Sequence, residues 1–172
     1  MSSETTSVLR PPSERMRELD FLLGHHRCVG RAPEDGSAPT VMYMHGRPTL
    51  GGHYYNVDFT WPGVMSGRWI FGWNPVDEEY NVYYLADSGT QGTAASAGWS
   101  GDEFQITGEY SVAEMNAHRA VRDVFSRGDE SQFVTHSYVR SEEDGRWILL
   151  DVFEAHRITA EQAREENPDA RH

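Results

Sequence analysis

The chain has 172 residues and a formal net charge of -12, with all 15 of its Lys/Arg positions occupied by Arg. That length suits one domain of about 100–200 residues, large enough to bury a core without disulfide or metal staples. The acidity sets the surface against phosphate backbones and anionic lipid, so neither nucleic acid nor membrane is an expected partner, and the missing lysine excludes Schiff-base catalysis and a P-loop.

Residues 1–12 are rich in Ser and Thr, contain no apolar signal core and end in Pro11-Pro12, the pattern of a disordered tail on a cytoplasmic protein. Ser13 is placed to cap a short helix from Glu14 to Leu23, with Met16, Leu19, Phe21 and Leu22 as its apolar stripe and Gly24 as its stop. From His25 onward the helical period is gone. Short β-rich runs follow at His25–Arg31, Thr40–Arg47, Gly52–Trp61, Gly67–Trp73, Tyr80–Ala86, Thr93–Trp99, Glu103–Tyr110, Ala117–Arg127, Gln132–Arg140 and Arg146–Ile158. Glu34-Asp35-Gly36, Asn74-Pro75, Ser100-Gly101-Asp102 and Glu143-Asp144-Gly145 supply turn chemistry between them. Nine or ten strands joined by hairpin-length loops predict an all-β domain over residues 13–158, a closed up-and-down antiparallel barrel. Thr159-Ala-Glu-Gln162 is a capping-box pattern that opens a short helix or tail over 159–172. Edge strands or the Leu19–Leu23 segment leave room for a homodimer.

Leu19-Asp-Phe-Leu-Leu-Gly24 before a strand resembles the opening of a bacterial family of single-barrel proteins near the calycins, the lipocalin-like barrels. Ile70-Phe-Gly-Trp-Asn74 followed by Tyr80, the turn Leu85-Ala-Asp-Ser-Gly89 and the closing Glu154-Ala-His-Arg157 are similar to that family's hairpin and last strand. The resemblance covers roughly Arg17 to Ile158 and implies a barrel with an apolar, ligand-sized interior. Calycins usually open with Gly-x-Trp, the Trp plugging the floor against an Arg of the last strand. Here the motif reads Gly24-His25-His26, so His26 takes the plug position while Arg157 is retained.

Polar residues on inward strand positions are the informative ones, because alternate residues of a barrel strand face inside. A tight turn at Ser141–Gly145 sets Tyr138 opposite Leu149, His136 opposite Asp151 and Val134 opposite Phe153. If Arg157 points inward, as the resemblance implies, that face is the interior. It then holds a His136–Asp151 dyad beside Tyr138, the carboxylate fixing the ring tautomer and raising its basicity. A slip of one residue would turn the set outward, where an exposed ion pair contributes little. On the preceding strand either Arg122 or Asp123 must face in. Tyr43 and His45 are expected across a hairpin from His53 and Tyr55. Tyr43, Tyr55, Trp69, Trp73, Tyr84 and Trp99 supply an aromatic wall, joined by Arg122, Trp147, Phe153 and the floor pair His26 and Arg157. So many rings suit a ligand with a flat or extended apolar body.

Three functions fit this description. One is a cofactor-free enzyme that cyclises, isomerises or dehydrates a hydrophobic secondary-metabolite intermediate by acid–base chemistry. A second is a haem-binding barrel, which a distant resemblance to nitrobindin implies, with His156 or His118 on the iron. The third is a lipocalin-like carrier or sensor without turnover. No His-x-His or His-Glu-x-x-His spacing occurs, and the single Cys28 builds neither a disulfide nor a thiolate cluster, so no metal site is expected.

Overall fold

The computed structural model describes residues 10–31, 36–128 and 132–168. The expected tail therefore falls outside the described residues up to residue 9, as do most of the Glu34-Asp35-Gly36 turn and the last four residues. Eleven strands are formed: β1 (Gly24–Gly30), β2 (Val41–Thr49), β3 (Tyr54–Trp61), β4 (Met65–Asn74), β5 (Glu79–Ala86), β6 (Gln91–Ser96), β7 (Trp99–Ser100), β8 (Glu103–Val112), β9 (Ala117–Arg127), β10 (Gln132–Arg140) and β11 (Trp147–Ile158). Each pairs antiparallel with its neighbour in chain order, except that β6 pairs with β8 and the two-residue β7 only extends β8. Pairing of β11 with β1 closes the ring. The wall is thus a ten-stranded up-and-down barrel, and closure leaves no long unpaired edge.

Sequence alternation produces this wall directly. Met42, Met44 and Gly46 of β2 are buried while Tyr43, His45 and Arg47 between them are not, and Tyr55, Val57 and Phe59 repeat the pattern on β3. The β2–β3 hairpin turns at Leu50–Gly52, so Tyr43 lies opposite Thr60 and His45 opposite Asp58. The expected pairing of these two with His53 and Tyr55 does not occur, because the turn sits farther along the chain than a tight hairpin after His45 requires.

One end of the barrel is shut by Glu14–Leu22, which forms a 3-10 helix with Ser13 as its N-cap. Its Met16, Leu19 and Leu22 are at most 2% exposed. Inner-wall side chains hold it there: Tyr55 donates to Asp20 Oδ1 at 2.7 Å, Tyr80 to the Arg15 carbonyl at 2.6 Å, and the Trp99 indole to the Glu18 carbonyl at 3.0 Å. The approach is close enough that a Cβ on Gly46 would sit 1.8 Å from the Leu22 carbonyl oxygen. At the chain's other end α1 (Ala160–Glu166) starts with the expected capping box between Thr159 and Gln162. It lies on the outside, where Glu166 accepts from Tyr43 and pairs with Arg27 at 3.2 Å. Among the described residues no helix is long and apolar enough to cross a membrane.

Candidate functional site

Above the helical plug the barrel encloses a cavity of ≈ 260 Å³, near the lower end of the ~300–1,000 Å³ usual for small-molecule sites. Of its lining residues Met115 and Leu150 are exposed, and Trp61 and Met65, the facing ends of β3 and β4, are partly so. Thr90 Oγ1 donates to Glu114 at 2.7 Å and accepts from the Ala113 amide, which ties two rim turns together. Deeper in, Met42, Met44, Phe59, Trp69, Tyr84 and Phe153 make the wall predominantly apolar.

Three polar residues interrupt that wall side by side. Ser137 of β10 pairs with Asp123 of β9 on one flank and Asp151 of β11 on the other, and all three line the cavity. The Ser137 hydroxyl lies near enough to both carboxyl groups to favour the ionised form of each. A hydroxyl has one proton to give, so it donates to one carboxylate and accepts from the other only when that other is protonated. One hydroxyl proton cannot serve two carboxylates at once. Burial pushes Asp123 up to about 7, with the charge of Asp151 adding to the rise and the Ser137 hydrogen bond opposing it. Burial raises Asp151 as well, against the Ser137 hydrogen bond and the nearby His136. Desolvation dominates in both.

Facing these acids are two stacked phenols. Gly92 lies opposite Tyr84 on β5 and Tyr110 on β8, and its lack of a side chain lets the rings stack over it, centroids 4.7 Å apart. A Cβ at Gly92 would come within 2.4 Å of the Tyr110 ring. Burial raises both phenols, helped by the negative charge of Asp123, so each stays a neutral hydroxyl. Trp69 stands beside them, its ring 5.6 Å from Tyr84, and near enough to Tyr110 to oppose part of that rise. The Trp69 indole bears on the Tyr110 hydroxyl itself, and neither atom closes a hydrogen bond with a further protein group.

The expected His136–Asp151 dyad is not formed. Arg140 faces Trp147 and Tyr138 faces Leu149 as the tight turn requires, but Leu150 is then left over as a β-bulge. Beyond it the register shifts by one, which turns Asp151 inward opposite Ser137 and leaves His136 opposite Val152. His136 and Tyr138 stack with each other on the outer face, 6.5 Å apart, although Tyr138 borders the cavity rim beside Ser137. Arg122 is outside too, its guanidinium 4.5 Å from the Tyr138 ring and 4.8 Å from that of Trp147. Neither Arg122 nor Trp147 lines the cavity, because Asp123 takes the inward position on β9.

Of the other expected lining residues, Trp69, Tyr84 and Phe153 reach the cavity. Tyr55, Trp73 and Trp99 serve the closed end instead, Trp73 by packing on Tyr80 and under Arg15. Tyr43 holds α1 from outside. His26 does stand opposite Arg157 at the floor, 1% exposed against the Phe133 ring, while Arg157 donates to the Leu23 carbonyl at 2.9 Å. Burial, then the positive charges of Arg157 and His25, lowers His26 to about 4, so it is neutral.

His118 lies exposed beside Ser111 and Glu109, and His156 pairs with Glu154 on the outside. No histidine lines the cavity among the described residues, so the two candidates do not fit a haem iron inside it. Ser137 and Tyr110 are cavity-lining positions that the candidates lacked, and Asp123 was expected only as an alternative to Arg122. Their signal was present in strict alternation: Val121-x-Asp123-x-Phe125, Thr135-x-Ser137-x-Val139 and Phe104-x-Ile106-x-Gly108-x-Tyr110.

The sequence matches no protein-family model, and it matches no curated protein. Among solved structures it is similar to the crystal structure of Rv2717c from M. tuberculosis, with a TM-score of 0.59 and 14% identity over 86% of this chain and 99% of that one. At that identity the likeness concerns the fold alone.

Proposed function

We propose that the barrel is a cofactor-independent enzyme that moves protons on a small hydrophobic molecule held in its cavity, in an isomerisation, cyclisation or dehydration. The observation that carries this reading is the placement of the buried Asp123 and the half-buried Asp151 on either side of Ser137, in a predominantly apolar wall. Two carboxyl groups sharing one proton offer a base and an acid within the same site near neutral pH, the condition for efficient general acid–base catalysis. The ionised member takes a proton from carbon, the electron pair shifts into the adjoining π system, and the protonated member returns a proton at the far end. Ser137 relays between them, so the pair is restored for the next cycle. Apolar walls keep competing water away and hold the substrate in one pose. A carrier would need only the apolar wall, and a buried acid with a second, half-buried one beside it argues against that role.

The assay is deuterium uptake from D2O, followed by mass spectrometry, across a panel of small apolar compounds with acidic C–H bonds. Uptake catalysed by the wild type is expected to fall about 10²–10⁴-fold in Asp123→Asn and in Asp151→Asn and to persist in His136→Phe. Absence of catalysed uptake, or indifference to both Asp substitutions, would leave the carrier reading in its place.

A further inference from the structure

The polar side chains that reach the cavity share one polarity. Asp151 is half-buried, Asp123 stands beyond Ser137 from it, and no Arg, Lys or His lines the cavity among the described residues. Tyr84 and Thr135 are 8% and 9% exposed and line the cavity, and their hydroxyls close no hydrogen bond with another described group. Neither hydroxyl is sealed off as the Trp69 nitrogen and the Tyr110 oxygen are. Carboxylates only accept, and hydroxyls accept as readily as they donate. Apart from the partly exposed Trp61 indole, the accessible polar lining therefore contains no group that must donate. A positively charged donor matches such a wall.

We infer that the cavity binds a small nitrogen base in its protonated, singly charged form, its N–H groups donating to Asp151 and the Tyr84 hydroxyl while its apolar body fills the cavity. Tyr84 lies near enough to feel the charge of both Asp123 and Asp151. Rings of Phe59, Trp61, Trp69 and Phe153 add the attraction of aromatic faces for a cation. An anionic ligand would be repelled by the acids, and a neutral one would leave their charge unanswered. A bare divalent metal ion needs more oxygen ligands than this wall supplies. The inference rests on the proton-transfer reading above and supplies its substrate class. In a protonated imine, the ionised acid takes a proton from the carbon next to C=N, and the electron pair left behind neutralises the nitrogen. Both charges vanish inside the apolar cavity and reappear when the proton is returned at the far end.

Isothermal titration calorimetry at about pH 8, where an amine is protonated and the acids are ionised, compares three probes on one carbon skeleton. They are 2-aminoindane, a cation; 2-methylindane, its uncharged counterpart; and indane-2-carboxylate, an anion. A merely greasy cavity prefers the hydrocarbon, because burying an unmatched charge is unfavourable. The expected order is amine, hydrocarbon, carboxylate, with the amine at least about tenfold tighter than the hydrocarbon. Asp151→Asn keeps the shape of the side chain and should cut that margin to under about threefold, with 2-methylindane affinity as the check that the cavity is intact. Tyr84→Phe should reduce the margin less. Binding of the amine at about pH 7 should also expel a proton, read as a dependence of the measured heat on the ionisation enthalpy of the buffer. A positive neighbour favours the ionised form of acids that burial has raised, Asp123 to about 7. The charges already bearing on them are that of Asp151 on Asp123 and that of His136 on Asp151.

Equal affinity for amine and hydrocarbon in the wild type, tighter binding of the carboxylate, an amine preference untouched by Asp151→Asn, or heats indifferent to the buffer overturn the cation site. Should Asp151→Asn not fold, the wild-type order and the expelled proton decide alone. Binding of none of the probes overturns both the cation site and the hydrophobic-ligand reading. An amine preference without catalysed deuterium uptake leaves the cation site standing and removes the enzyme; uptake from neutral compounds without the preference does the reverse.

Discussion

Asp123 and Asp151 meet on a single hydroxyl. They come from strands two apart, β9 and β11, and only Ser137 of the strand between them joins the pair. Their titration is expected to show two separate steps, read by ¹³C NMR at the side-chain carboxyl carbons. Ser137→Ala should raise the Asp123 step further, because the hydroxyl's hydrogen bond stabilises the ionised form. A single step in the ordinary carboxylate range for both residues would dissolve the pair.

The dependence of stability on pH carries two opposed contributions. Asp123 is raised from 3.8 to about 7, so its stabilising share is complete below about pH 4 and is lost as pH rises to about 7. His26 is lowered from 6.5 to about 4, so its share is complete above about pH 6.5 and is lost as pH falls to about 4. At about 1.4 kcal/mol per unit, the two contributions are on the order of 3–5 kcal/mol and oppose each other across one window. Asp151 is raised as well and adds to the Asp123 side, so urea melts of the wild type should show a modest fall in stability as pH rises from about 4 to 7. His26→Phe should grow less stable with rising pH, and Asp123→Asn more stable. Identical slopes in both variants would contradict the assignment.

Gly46→Ala tests the closed end. Its Cβ would have to occupy space 1.8 Å from the Leu22 carbonyl oxygen, which is backbone and cannot rotate away. The expected loss is at least about 2–3 kcal/mol in urea unfolding, with new protease sensitivity across Glu14–Leu22. A neutral substitution would mean that the helix is not seated against β2.

Haem offers a direct optical check. Neither His118 nor His156 reaches the interior, so added haem should give no sharp Soret band of histidine-ligated iron. A strong band that disappears in His156→Ala or His118→Ala would refute the placement of those strands.

The architecture was legible because alternation is a local property: β9 and β10 begin and end where the residue pattern puts them, and β11 begins one residue later. The site was legible only in part. Counting back from the Ser141–Gly145 turn gives the correct partners for Arg140 and Tyr138, but Leu150 carries no mark that it will be extruded. Bulges arise from how strands twist against neighbours on both sides, information that one hairpin's sequence lacks. The consequence was a candidate pair on the wrong face, with Asp151 alone surviving. Tyr110 was overlooked for a different reason. An isolated Tyr in a strand looks like any core aromatic until Gly92 and Tyr84 are placed around it.

The helical plug has one further consequence. With the floor filled by Met16, Leu19 and Leu22, a substrate of the proposed enzyme would enter and leave on the side away from the helix, past the exposed Met115 and Leu150. On that reading traffic would be one at a time, a spent molecule blocking its successor until it leaves. Side chains around that doorway, remote from Asp123, would set the residence time and hence the ceiling on throughput.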